Sequence, residues 1–149
     1  MAVVPELSHT YRELGEAAWS WVFDHVCEDD GPWLPAAVSD DWRHTPPADD
    51  RDSLYSGIAG LAPILAEIAL HRSLTDTELD LSTRVAARLG AKANVRTEPS
   101  LYDGLASDLT ALKLLAPGPD SVALQRLTDL MPRQAGTPRS RSIQDPMRH

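Results

Sequence analysis

An all-α fold of helical hairpins is predicted by three features of the sequence. First, Ser53-Leu54-Tyr55-Ser56-Gly57-Ile58-Ala59-Gly60 recurs 47 residues later as Ser100-Leu101-Tyr102-Asp103-Gly104-Leu105-Ala106-Ser107, with five of the eight positions identical. Second, each copy opens an apolar stretch of helical periodicity and is followed by an amphipathic one. Third, neither strands nor βαβ units are evident. A period near 47 residues with two helices per unit marks an array of helical hairpins, here about two of them behind an N-terminal helix.

The elements follow in order. Leu7, Tyr11, Leu14, Ala18, Trp21, Val22 and His25 keep a three-to-four spacing, which predicts a first helix with that stripe against the core. Ser8 or Thr10 can cap it, and Asp29-Asp30-Gly31-Pro32 ends it. Residues 31–52 read as a long loop rich in prolines and acids. Ser56 and Asp103 share one position of the motif and are the expected N-caps of helices over 58–70 and 105–115. Pro63 lies early in the first of these, where it forces a distorted first turn or a kink. Between the motifs, 75–93 carries Leu79, Leu81, Val85, Ala86 and Leu89 on one face, with Asp76, Glu78, Arg84, Arg88 and Lys92 turned away. Pro117-Gly118-Pro119 breaks the chain before a last short helix over 122–131. Gly57 and Gly104 admit a neighbouring backbone or an unusual φ. Tyr55 and Tyr102 are expected to plug between adjacent hairpins as packing devices.

Composition narrows the class. A chain of 149 residues suggests one domain, and 42% hydrophobic residues argue for a globular one. The net charge of −8 speaks against nucleic acid as a partner, and no apolar run is long enough to span a membrane. The N-terminus has no basic region followed by an apolar one, so no signal peptide is read. A single cysteine, Cys27, excludes an intrachain disulfide and suits a reducing cytoplasm. Residues 132–149 hold four arginines against one acid, a charge of +3 that leaves −11 for the rest. With Ile143 and Met147 as their only large apolar residues, they are expected to be a disordered basic tail behind a domain of residues 1–131.

The paired motifs, with Leu61-Ala-x-x-Leu65-Ala-Glu-Ile-Ala69 after the first, resemble the lanthionine synthetase C-like (LanC-like) family over about residues 7–131. The resemblance implies an α/α-toroid, of which this chain holds about two of the family's roughly seven hairpins. It also implies thioether-ring formation in lanthipeptides, in which one zinc held by two cysteines and a histidine activates a peptide thiol. The chain departs from that pattern: it has no Cys-His pair, and Cys27 matches neither cysteine ligand. It therefore reads as the N-terminal part of such a protein, truncated or ending in a shifted frame, without zinc and without catalytic competence alone. No catalytic, cofactor-binding or metal-binding residue is assigned.

Other constellations are weaker. His25 and Cys27, among Asp24, Glu28, Asp29 and Asp30, would not share a helical face and are read as a buried thiol beside an acidic cap. Asp49, Asp50 and Asp52 are read as a solvated loop, and His9, His44, His71 and His149 as isolated. A second reading makes the chain a docking module for a peptide or protein partner. An open arc of hairpins is expected to expose Ile58, Ile64, Leu65, Leu105 and Leu112 and to favour self-association. A third makes it part of a toroidal glycan hydrolase using Asp103 and Asp108. With nothing to cover 105–131, that segment is expected to be the least stable part of the domain.

Overall fold

A computed structural model describes residues 5–38, 43, 44, 46, 51–116 and 121–130. Among these the chain is helical: α1 (Pro5–Asp24), α2 (Leu61–His71), α3 (Asp76–Ala93), α4 (Leu105–Leu115) and α5 (Ser121–Leu130). Two residue pairs form the short antiparallel ladder β1 (Ala37–Val38) and β2 (Arg43–His44), with Ala37 opposite His44. α4 keeps its predicted bounds, whereas α2 begins three residues later than predicted, because Ile58–Gly60 form a 3₁₀ turn, and ends one residue later. No described helix is long and apolar enough to cross a membrane. The segment 132–149, expected to be a disordered tail, lies outside the described residues.

α2 and α3 form one hairpin, α4 and α5 the next, and α4 is central, packed on α2, α3 and α5. The core is Ile58, Leu61, Leu65, Leu81, Val85, Leu89, Leu105, Ala111, Leu112 and Ala123, all buried. This corrects the expected open face: Ile58, Leu65, Leu105 and Leu112 cover one another where the hairpins meet, and Ile64 alone of that set stays exposed, at 41%. It also removes the reason to make 105–131 the weakest segment, since α4 is enclosed on three sides.

Of the two effects expected of Pro63, the helix start shows a distorted first turn. A 3₁₀ turn, Ile58–Gly60, leads into α2, so Pro63 sits in the first helical turn, where its missing N–H has no intrahelical acceptor to lose. α3 begins with a capping box: Thr75 Oγ1 accepts from the Glu78 N–H at 3.3 Å, and Glu78 Oε2 accepts from the Thr75 N–H at 2.7 Å.

α1 differs most from expectation. It starts at Pro5, ahead of both predicted caps. Most of its predicted core stripe faces outward, with Tyr11 69%, Leu14 65% and Trp21 55% exposed, and of that set Val22 packs on the core. The buried contacts come instead from Trp19, with Val22, Phe23 and Val26 packed beside it. These residues also keep the i, i+3, i+4, i+7 spacing, so the helix carries two overlapping apolar faces and docks by the C-terminal one. Among the described residues no α1 Cα lies within 8 Å of another helix or strand, so side chains make its contacts with those elements. After α1, Asp30 (φ 58°) and Gly31 (φ 87°) take left-handed conformations. That reversal closes the Cys27–Trp33 bridge, with N···O distances of 2.9 and 3.0 Å.

Candidate functional site

The two motif copies fold alike in detail. In the first, Ser53 Oγ accepts from the Ser56 N–H at 2.9 Å; in the second, Ser100 Oγ accepts from the Asp103 N–H at 3.4 Å. Ile58 N–H donates to the Arg51 carbonyl and Leu105 N–H to the Glu98 carbonyl, both at 2.8 Å. Gly57 (φ −118°, ψ −168°) and Gly104 (φ −116°, ψ −162°) take the same extended conformation. Gly57 precedes the 3₁₀ turn and Gly104 caps α4, so Ser56 and Asp103 are not the caps. The motif serine closes the turn instead. Gly104 is required by a close approach, since a Cβ there would lie 2.4 Å from the Glu98 carbonyl oxygen and 2.5 Å from the Ser100 nitrogen.

The copies also interlock. The Leu54 N–H donates to the Tyr102 carbonyl at 3.1 Å and to Ser107 Oγ at 2.8 Å. The Leu54 carbonyl passes so near Gly60 that a Cβ there would lie 2.9 Å from its oxygen. Gly60 and Ser107 are the same motif position, and their difference is thereby explained: one makes room for Leu54 and the other supplies its acceptor.

Two buried ion pairs lie beneath the loops. Asp52, 3% exposed, accepts from Arg88 of α3, which also reaches the Asp30 carbonyl. Asp108, fully buried on α4, accepts from Arg96 Nε at 2.6 Å and Nη2 at 3.3 Å. Burial pushes the Asp108 carboxyl up to about 6, helped by the nearby Asp52 charge and opposed by Arg96. Asp52 and Arg88, expected in solvent, thus tie the first loop to α3. Asp108 and exposed Asp103 offer no carboxylate pair to a sugar, because Asp108 is sealed against Arg96.

Tyr55 and Tyr102 do not plug the hairpins. They are 81% and 62% exposed, and their rings meet edge to face with centroids 6.0 Å apart at 80°. The interlocked loops hold both at one surface.

A second feature lies between α1 and α2: a groove of about 410 Å³ lined by Tyr11, Gly15 and Trp19 on one side and Ile64, Ile68 and Arg72 on the other. At its end Glu78, 5% exposed, gathers three elements. It accepts from Trp19 Nε1 at 2.7 Å, from Arg72 Nη1 and Nη2 at 2.8 Å each, and from the Thr75 N–H. Arg72 also forks onto Glu16 at 2.8 and 2.9 Å. The Arg72 hydrogen bonds hold the Glu78 carboxyl down at about 2 against the effect of burial. Arg72 lowers Glu16 in the same way. Glu78 was expected to face solvent; its signal in the sequence was the Thr75-x-x-Glu78 pattern of a capping box.

The remaining candidates are dispersed. Cys27 is buried with its thiol 3.6 Å from the His25 carbonyl, while His25 Nδ1 lies 2.6 Å from the Trp21 carbonyl and its ring stacks on Trp21. His9 pairs with Glu13 and His71 with Glu67 along their own helices, and His44 lies in β2. Asp49, Asp50 and His149 fall outside the described residues. Among the described residues no three His, Cys, Asp or Glu side chains converge as a metal site, and the donor set does not fit the zinc of two cysteines and a histidine. No protein-family model, curated protein or solved structure matches the chain.

Proposed function

We propose that this chain is a peptide-docking helical-hairpin module of LanC-like type, resembling the N-terminal part of a lanthipeptide cyclase, that contributes binding rather than thioether chemistry in the cytoplasm. The observation that carries the reading is the pair of motif loops, alike in backbone and serine hydrogen bonding and interlocked through Leu54. Such repetition is how a hairpin array propagates. The α1–α2 groove supports a docking role: its floor is apolar, its rim charged, and its volume of about 410 Å³ suits a few apolar side chains of a peptide. No step through zinc is derived, because the donors do not fit it.

The test is titration of the purified chain with a fluorescently labelled, dehydrated lanthipeptide precursor, alongside a thioether-forming assay with zinc supplied. Saturable binding that Ile64→Glu weakens about tenfold, without ring formation, is the expected result, an apolar side chain at a dry contact being worth about 1.4 kcal/mol or more. Ring formation with one tightly held zinc per chain, or binding indifferent to Ile64→Glu, would overturn it.

A further inference from the structure

We infer that Tyr55, Tyr102 and Asp103 form a docking site for a cationic side chain, arginine or lysine, of a peptide. The inference goes beyond the docking role proposed above, because it concerns a different surface and holds whatever occupies the α1–α2 groove.

The two rings are 81% and 62% exposed, so they are not spent on the core. Their placement is nevertheless fixed by the backbone. The Tyr102 carbonyl accepts from Leu54, the residue before Tyr55, and the turn carrying Tyr102 abuts Gly104 too closely for any Cβ. The backbone that carries the rings needs little further ordering when a ligand arrives. An edge-to-face pair leaves π-faces open, and those faces carry the negative end of the ring quadrupole, which attracts cations.

The surrounding charge has the same sign. Asp103 follows Tyr102 directly and is exposed, and among the described residues its carboxylate accepts no hydrogen bond. Arg96 donates to the Asp103 main-chain oxygen, and its charge is already matched by Asp108, while Arg51 of the first loop lies over the Trp33 ring. Glu98, two residues before the motif serine, is exposed as well, and the whole chain carries −8. A second copy of the chain fits this surface poorly, since apposing two such patches would set Asp103 against Asp103. A cationic peptide meets both the rings and the carboxylate.

The test follows the tyrosine ring signals by NMR while a capped arginine–glycine repeat peptide is titrated in, with the glutamine–glycine peptide as its uncharged counterpart. The arginine peptide should shift both rings and the glutamine peptide neither. Tyr55→Leu and Tyr102→Leu should each weaken binding about two- to fivefold, while Tyr102→Phe, which keeps the π-face, should bind as the parent does. Asp103→Asn should weaken binding and flatten its salt dependence. Because the three side chains are exposed, unchanged thermal melts check that the variants fold. Ile64→Glu should leave this binding intact, which separates it from loss of the groove. Equal binding of the glutamine peptide, undiminished binding by the leucine variants, or ring shifts that grow with protein concentration alone would overturn the inference.

Discussion

Replacing Glu78 by glutamine tests the junction of α1, α2 and α3 with almost no change of shape. The carboxylate accepts from Trp19, from both terminal nitrogens of Arg72 and from the Thr75 N–H, whereas glutamine keeps one oxygen and turns an NH₂ toward two of those donors. Two measures of the loss agree. The Glu78 pKa falls from 4.5 to about 2 on folding, and a difference of roughly two and a half units corresponds to about 3 kcal/mol. Stranding two donors that had faced a charged acceptor costs about 3 kcal/mol as well. The folded pKa is depressed, so this stabilisation is fully present above about pH 4.5 and is lost as the pH falls toward about 2. Urea unfolding should place Glu78→Gln about 3 kcal/mol below the parent at pH 7, and the two curves should converge near pH 2. Asp108 titrates in both proteins and shares no hydrogen-bond partner with Glu78, so its contribution cancels in the difference. A loss under about 1 kcal/mol at pH 7, or one that does not change with pH, would refute the argument that the charged hub holds α1 in place.

Asp108→Asn should show the opposite pH dependence. Folding raises the Asp108 pKa from 3.8 to about 6, so the parent loses about 3 kcal/mol relative to the variant as the pH rises through that window, read from paired urea melts. Gly104→Ala should cost about 3 kcal/mol, because a Cβ would strike main-chain atoms that cannot swing aside, while Gly15→Ala and Gly90→Ala, open around the added atom, should raise stability by up to about 1 kcal/mol in thermal melts. Hydrogen exchange should be slowest in α4 around Ala111 and fastest in the first half of α1; equal protection of the two would contradict the packing described.

The hairpins were legible because their signals are local. A repeated motif, apolar spacing and a proline–glycine break place α3 to α5 within a residue and α2 within three. What failed to read out depended on partners distant in sequence. Periodicity identifies the residues that share a stripe, but α1 has two usable stripes. The choice between them rests on Trp19 finding Glu78, 59 residues away. Charge misled in the same way: Asp52 and Glu78 read as solvated acids until Arg88 and Arg72 are brought to them by the packing of α3 and α2. The tyrosines misled in the opposite sense. Large rings at matched repeat positions suggested core plugs, and the backbone contact through Leu54 turned them outward.

The same contrast separates the two ends of the molecule. At the motif loops, main-chain hydrogen bonds and glycine contacts fix the geometry, and removing a side chain such as Tyr55 should leave the scaffold intact. Among the described residues no other helix or strand brings its backbone close to α1, and its attachment to them depends on a few side chains around one buried carboxylate. A fold built this way keeps one rigid surface beside one that can release. Should the α1–α2 groove bind a peptide, contacts to both walls would add to the hold of Glu78 on α1, so binding there should stabilise the least secured helix. Ligand at the tyrosines, in contrast, should leave α1 exchange unchanged, because the loops it touches are held by main-chain hydrogen bonds and not by the Glu78 contacts that secure α1.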